Sequence, residues 1–352
     1  MTTEQTGQAA MAMQGRGDYN RNSVLQAANL TSALPFFAAA AATVLIEGAD
    51  AIVIADYGAS QGRNSLPPMR AALQALRARA GEDRPVQIIH TDLPSNDFAA
   101  LFTMLDEDAA SYTANDKNVF ALAVGRSFYT AVLPSASVHL GWSSNALHWM
   151  SHNPVNVPDH GWAIFSASAA AREAVEQRLA DDWRDFLLAR AAELRVGAKL
   201  VCQFMGRGPD SHGFEFVSNA LWRSITDMAQ AGLLTQEELL HMTSPAAGRS
   251  VAQVQAPFAN GLFAGLSLDY VNVVQAPDPY WDVYQRSGDA TQLGTAWASM
   301  MRAVHGPFLA SALAPTRDKT AYLDDLFARL AAHIAASPQR SSSYNMIVVI
   351  GK

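Results

Sequence analysis

The stretch AIVIADYGASQGRN, residues 51–64, decides the fold of this chain. An apolar run with β-branched members leads into Asp56, and two glycines, Gly58 and Gly62, follow before a helix-compatible pattern begins. A uniformly apolar run is typical of a parallel strand that is buried on both faces. The glycines permit a tight strand-to-helix turn and let a ligand approach the bare backbone. Because ligands of open α/β sheets bind where the strands end, this turn is the predicted binding site.

The rest of the chain repeats strand and helix up to about residue 205, which predicts a mainly parallel, Rossmann-like α/β sheet. The predicted strands are 51–56, 86–90, 118–124, 137–142, 197–204 and an edge strand at 345–350. The predicted helices are 22–46, 66–80, 98–106, 182–194, 220–231, 235–242, 296–312 and 319–335. The alternation stops after residue 205, which indicates an inserted α-helical cap. We therefore expect a disordered lead-in (1–16), a core (17–205 and 309–352) and a cap (206–308).

Composition limits the function classes. Of 352 residues, 49% are apolar and 16% are charged, which is enough for a sizeable core. The net charge of −7 argues against a nucleic acid or an anionic membrane as partner. The single cysteine, Cys202, cannot form an internal disulfide, and the nine histidines show no tight metal-ligand spacing. We expect a cytoplasmic protein without a structural metal.

Two phosphate-binding patterns are missing from the glycine turn. It has neither the Gly-x-Gly-x-x-Gly dinucleotide fingerprint nor the Gly-Lys-Ser/Thr phosphate loop. The sequence therefore gives little support to the hypothesis that the protein is an oxidoreductase. The acidic residue Asp92 follows the second predicted strand (86–90), where a carboxylate is well placed to bind two ribose hydroxyls. The alternative is that Asp92 or Asp97 caps the helix that follows.

Six short blocks occur in order along nearly the whole chain. They are Gly17-x-Tyr19-x-x-Asn22-Ser23-x-x-Gln26, Ile54-Ala-Asp56-Tyr-Gly58-Ala-Ser60-Gln-Gly62-Arg-Asn64, Asp92-Leu93-Pro94-Ser-Asn96-Asp97-Phe98, Ser127-Phe128-Tyr129, Ser143-Ser144-x-x-Leu147-His148-Trp149-Met-Ser151 and Met301-Arg302-Ala303-Val304. Together they resemble the SABATH family, the plant-type salicylate, benzoate and theobromine methyltransferases. The resemblance implies a class I methyltransferase fold, S-adenosylmethionine (SAM) as methyl donor, S-adenosylhomocysteine (SAH) as product, and a homodimer.

The resemblance also implies a set of site residues. Gln26 and Trp149 would be the catalytic pair that holds the substrate carboxylate. The rest of the substrate would lie among Tyr19, His148, Asn145, Trp222, Met301 and Val304. SAM would contact Ser23, Asp56, Gly58, Asn64, Asp92, Leu93, Ser127, Phe128 and Ser143.

The chain departs from the family pattern at three places. Ala59 stands where the family has a cysteine, and Asn145 stands where it usually has a tyrosine, which removes one aromatic wall. A Phe-Asn-Ile-Pro loop is not recognisable near His241-Met242-Thr243. A metal ion lies near this loop in some members, and the sequence does not predict one here.

The residue types of the catalytic pair fit a carboxylate acceptor. A carboxylic acid has a pKa near ~4 and is ionised at neutral pH, so it needs no general base to act as a nucleophile. Indole and amide N–H groups can hold one of its oxygens without titrating. Orientation of this kind contributes roughly 7–11 kcal/mol of barrier lowering in favourable cases.

The sequence therefore predicts a SAM-dependent carboxyl O-methyltransferase that converts a small apolar or aromatic acid to its methyl ester. The alternative on the same fold is N-methylation of a purine-like heterocycle, which would require removal of a proton from the acceptor. A third reading is a SAM-binding protein without activity. Two of these residues also have simpler interpretations. Trp149 could be a side chain of the hydrophobic core. We interpret His148 as a packed histidine that orients the substrate and does not act as a base.

Overall fold

The computed structural model describes residues 12–48 and 50–352. Its β-strands are β1 (Ile52–Tyr57), β2 (Val86–Asp92), β3 (Val119–Gly125), β4 (Val138–Ser144), β5 (Leu194–Met205), β6 (Ser267–Gln275) and β7 (Tyr344–Gly351). Its α-helices are α1 (Asp18–Asn22), α2 (Val24–Leu30), α3 (Leu34–Thr43), α4 (Leu66–Ala80), α5 (Phe98–Glu107), α6 (Ala169–Glu193), α7 (Glu215–Gln230), α8 (Gln236–Leu240), α9 (Val251–Gln255), α10 (Pro279–Ser287), α11 (Ala290–Ser311) and α12 (Lys319–Ala336).

All seven strands form one sheet in the order β3-β2-β1-β4-β5-β7-β6. Strands β1 to β5 are parallel, while β7 runs antiparallel to both β5 and β6. The strand order reverses between β1 and β4, and a crevice opens at such a point because the two flanking connections leave in opposite directions. The predicted mainly parallel Rossmann-like sheet is therefore confirmed.

Helices cover both faces of the sheet. On one face Phe37 of α3 and Met69 of α4 pack on Ile54 of β1. On the other face Trp183 and Phe186 of α6 pack on strands β1 and β5. The apolar runs of the central strands are uniform because both of their faces are buried.

A third apolar cluster lies among the helices of the cap. Helices α7, α11 and α12 contribute Leu221, Trp297 and Leu330 to it, and Trp162 from the segment after β4 joins them. Helix α12 thus packs with the cap helices, although its residues fall inside the predicted core range 309–352. In addition, β6 is a strand of the main sheet, although it falls inside the predicted cap range 206–308.

Two local predictions differ from the structure. Strand β7 lies between β5 and β6, so it is not the edge strand that we predicted. The helix predicted over 22–46 is divided into α1, α2 and α3, and the side chain of Ser23 makes no capping hydrogen bond. Asp97 does cap α5, because its carboxylate accepts a hydrogen bond of 3.0 Å from the amide of Ala100.

Part of the predicted lead-in is described. Residues 1–11 lie outside the described range, whereas Gln14 donates a backbone hydrogen bond of 3.1 Å to Ala303 of α11. The amide of Arg16 donates to the carboxylate of Asp97 at 2.9 Å. This segment therefore connects the cap to the start of α5.

Across the described part of the chain, no single helix has the length and apolar character needed to cross a membrane. Helices α2 and α3 meet that test only when they are taken together, with a bend of 48° between them.

Candidate active site

A cavity of about 340 Å³ opens at the carboxyl ends of the parallel strands. Its wall includes the turn after β1, the end of β2, the loops after β3 and β4, and parts of α2 and α11. The volume falls in the range of ordinary ligand sites, and the position is the one expected at the reversal of strand order.

The turn after β1 requires glycine. Gly58 has φ of 90°, and a Cβ atom there would lie 2.4 Å from the Cβ of Ala146 in the loop after β4. Gly62 has φ of 82° and lies close to the side chains of Leu101 and Met104. The missing side chains let the β1 turn, the β4 loop and α5 approach one another, which leaves the backbone of the turn open to a ligand.

Asp92 lies at the cavity wall with its carboxylate aimed back at the β1 turn. It accepts hydrogen bonds of 2.7 Å from the amide of Ser60 and 2.8 Å from its neighbour Leu93. Burial raises the pKa of Asp92 to about 6, although these two amides lower it in part. The hydroxyl of Ser60 is buried without a partner among the described residues, so this end of the cavity has a free polar group for a ligand.

Asp56 also lines the cavity, but protein groups already occupy its carboxylate. Ser65 donates a hydrogen bond to it, and Nδ1 of His90 lies 2.9 Å away. The other nitrogen of His90 lies 2.7 Å from the hydroxyl of Tyr112. This buried chain holds the end of β1 against β2, which favours a structural role for Asp56. The sequence patterns did not indicate His90 or Tyr112 for this chain, because their partners are distant in sequence.

Buried charges hold the loop that carries Ser127 and Phe128. Arg190 of α6 donates to the carbonyls of Phe128 and Thr130 at 2.9 and 3.0 Å and to Glu193 at 2.9 Å. Glu193 in turn accepts the hydroxyl of Tyr57 at 2.8 Å. Both charged side chains are fully buried, so each is stabilised mainly by the other and by these polar partners.

The predicted catalytic pair lines the same cavity. Gln26 has a buried side-chain oxygen without a partner in the described structure. Trp149 packs between two imidazoles, with ring centroids 5.8 Å from His148 and 5.3 Å from His305. Its carbonyl accepts the hydroxyl of Tyr129, which fixes the backbone at this point.

The two histidines beside Trp149 are neutral. Burial lowers the pKa of His148 and of His305 to about 3, and their mutual proximity adds to the effect at His148. His305 follows the Met-Arg-Ala-Val block of α11 and lies one helical turn after Met301, so helical spacing could have placed it on the same face. The sequence interpretation did not include it.

All but three of the predicted site residues line this cavity. Those that do are Tyr19, Gln26, Asp56, Gly58, Asn64, Asp92, Leu93, Ser127, Phe128, Asn145, His148, Trp149, Met301 and Val304.

The three exceptions are Ser23, Ser143 and Trp222. The hydroxyl of Ser143 donates to the carbonyl of Tyr57 at 2.8 Å and so joins β4 to β1. Trp222 packs on His160, and Ser23 is buried at the junction of α1 and α2. Further cavity residues that the sequence did not indicate include His212, Phe214, Tyr344 and Asn345.

Comparison with known proteins identifies the family. The sequence model of the "SAM dependent carboxyl methyltransferase" family matches residues 8–351. The chain belongs to this family. SAM is the methyl donor of the family, and its members are transferases. The resemblance to SABATH proteins is thereby confirmed.

Relatives and solved structures agree with this assignment. The chain is 27% identical to anthranilate O-methyltransferase 2 of Zea mays, with 96% of this chain and 94% of that protein covered. It is 28% identical to salicylate carboxymethyltransferase of Clarkia breweri, with 84% of each covered. Loganic acid methyltransferase with SAH has the same fold, with a TM-score of 0.79 and 20% identity over 97% of this chain and 98% of that one.

Fungal relatives match over a shorter range. The chain is 32% identical to methyltransferase FUS9 of Gibberella moniliformis over 205 residues. That match covers 58% of this chain and 54% of FUS9.

We predict that Gly58→Ala destabilises the protein by about 1–3 kcal/mol or more, because the new Cβ combines an unfavourable φ with a clash against Ala146. Thermal unfolding measures the effect. Gly288→Ala is the control, since Gly288 has φ of 67° with no atom within 4 Å. Gly58→Ala should be clearly worse than the control, and adding Ala146→Gly should recover part of the loss. Equal destabilisation by the two single variants would contradict the close contact.

Proposed function

We propose that this protein transfers the methyl group of SAM to a carboxylate oxygen of a small, largely apolar or aromatic acid. The observation that carries the proposal is that one cavity contains both Gln26 and Trp149 as well as the glycine turn and Asp92. Family membership supports the reaction class. A cytoplasmic location, a homodimer and the lack of a metal stay predictions.

The SAM end of the cavity is the end formed by β1 and β2. Gly58 lines this end of the cavity and carries no side chain that would stand between its backbone and a ligand. The carboxylate of Asp92 has lone pairs beyond those used by Ser60 and Leu93, and these can accept two ribose hydroxyls. Asn64, Leu93, Ser127 and Phe128 complete this part of the wall.

The acceptor end uses neutral donors. Gln26 and Trp149 would hold one carboxylate oxygen and leave the other free to attack the methyl carbon in line with the departing sulfur. The C–O bond forms as the C–S bond breaks, and the electron pair stays on sulfur. A cation and an anion are thereby converted to a neutral sulfide and a neutral ester, so a site that excludes water favours the transition state.

The proposed reaction includes no proton transfer, and the low pKa values of the two histidines are consistent with this. With pKa values near 3, His148 and His305 are weak bases at neutral pH. An ionised carboxylate does not need them, whereas an N–H acceptor would need a base of suitable strength. The cavity therefore supports the carboxyl reaction better than N-methylation of a heterocycle.

A substrate panel tests the proposal. We expect methyl esters, detected by mass spectrometry, when the purified protein and SAM are incubated with benzoate, salicylate, indole acetate and aliphatic acids. Over about pH 6.5 to 9 the rate should be nearly flat, because the acceptor is ionised throughout. Turnover of a ring N–H compound with a rate that rises with pH, and of no acid, would favour the alternative reaction.

We predict that Gln26→Ala and Trp149→Phe each lower turnover at least about 10-fold while they leave SAM affinity within about 3-fold. Both variants remove a donor from the carboxylate but not from the cofactor. Steady-state kinetics and calorimetric SAM binding separate the two effects. A comparable loss of SAM affinity would show that these side chains act on the cofactor or on folding instead.

We also predict that SAM binding weakens in acid because of Asp92. The ionised form accepts the ribose hydroxyls, and this form is lost as the pH falls through about 6. SAM affinity should be constant above about pH 7 and fall by up to about 10-fold per pH unit below 6. Asp92→Asn should bind SAM weakly at all pH values and lack this dependence. Calorimetric measurement of SAM affinity from pH 5 to about 8 tests this prediction. If the affinities of the wild-type protein and of Asp92→Asn change with pH in parallel, Asp92 does not bind SAM.

A further inference from the structure

Buried polar atoms without a partner identify a second polar region in the cavity. Among cavity residues, such atoms occur on Gln26 and His148 in the proposed acceptor site. Outside this site they occur on Asn29 and Ser60 and on two further residues, as Nδ1 of His212 and Nδ2 of Asn345. Asn345 is only 2% exposed, and a buried amide donor without an acceptor costs free energy unless a ligand or water satisfies it.

A chain of hydrogen bonds leads to Asn345 from the loop after β4. Asn145 Nδ2 donates to the hydroxyl of Ser144 at 2.9 Å. Ser144 donates to Gln203 Oε1 at 2.8 Å, and Gln203 Nε2 donates to Asn345 Oδ1 at 2.9 Å. The chain begins at Asn145, where the SABATH pattern usually has a tyrosine, so a polar connection takes the place of an aromatic side chain.

The chain fixes which atom Asn345 presents. The lone pair of the Ser144 hydroxyl accepts from Asn145, so its proton is available for Gln203 Oε1. The amide nitrogen of Gln203 is then turned toward Asn345 and pairs with its oxygen. Asn345 Nδ2 remains as a donor, held in one orientation by its neighbours.

Strand geometry separates this donor from the end of β4. Ser144 lies beside Gln203 on β5, and Met205 of β5 lies opposite Asn345 on β7. Two strand spacings of about 4.8 Å therefore separate the ends of β4 and β7, roughly 10 Å in all. Met205 and Phe214 also line the cavity.

We propose that Asn345 forms a distal subsite that recognises a hydrogen-bond acceptor, a ketone or hydroxyl oxygen, on the substrate. The proposal rests on the proposed function, since it assumes that the carboxylate lies at Gln26 and Trp149. The preferred substrate is then an acid with an apolar middle and an oxygen function at the opposite end. His212 lines the same cavity and offers a second polar atom for that oxygen.

Matched ligands test the subsite without turnover. Calorimetry on the SAH-loaded protein compares plain medium-chain carboxylic acids with oxo acids of equal length, in which the ketone is moved along the chain one carbon at a time. We expect one ketone position to bind about 3- to 10-fold tighter than the plain acid. Asn345→Leu should abolish this preference with little change in the affinity for the plain acid.

Two further variants separate recognition from stability. Gln203→Met removes the group that orients Asn345, so it should reduce the ketone preference without removing the donor. Asn272→Leu makes the same change as the test variant at an exposed site on β6 outside the cavity, and it should keep the full preference. The ratio of the two affinities is the readout, because a general loss of stability lowers both.

Each outcome has one meaning. If plain acids bind and are methylated but no ketone position adds affinity, or if Asn345→Leu keeps the preference, the subsite is refuted and the proposed function stands. If no acid binds the SAH-loaded protein, both proposals are wrong. A ketone preference that is lost in Asn345→Leu and kept in Asn272→Leu supports the subsite.

Discussion

The close approach of the β1 turn to the loop after β4 is the constraint on which the site depends. A contact of 2.4 Å for a hypothetical Cβ at Gly58 leaves no room for any side chain there. The hydroxyl of Ser143 draws the same two strands together one residue away. As a result, the turn that carries Ser60 and the loop that carries Trp149 become two walls of a single cavity, and a donor and an acceptor can meet between them.

Charge is distributed in this cavity in a way that suits the proposed reaction. The two imidazoles beside Trp149 are neutral, and Asp92 is a carboxylate whose charge burial disfavours. The strong charges of Arg190 and Glu193 are paired with each other behind the wall. In the proposed reaction the two imidazoles therefore add no charge beside the acceptor carboxylate.

Sequence patterns predict the central part of this fold and much of its cavity, for a physical reason. Strands β1 to β5 contain apolar segments that are mostly separated by helices, and the residues that follow them meet at one edge of the sheet. Strand β6 is half exposed, and Asp269 and Asn272 interrupt its apolar residues. Its sequence therefore does not differ clearly from that of a loop. The polar chain to Asn345 depends on pairing between β5 and β7, which join distant parts of the sequence and leave no local signal.

Asn145, which departs from the family pattern, changes the cavity wall in two ways. Replacement of a tyrosine by Asn145 removes an apolar surface, which by itself would weaken the binding of a flat ring. Asn145 has φ of 52°, a conformation that asparagine adopts more readily than tyrosine, and its amide begins the chain that ends at Asn345. One substitution therefore changes both the shape and the hydrogen-bonding character of the wall, and in the proposed distal subsite a substrate oxygen at Asn345 would offset the lost ring contact.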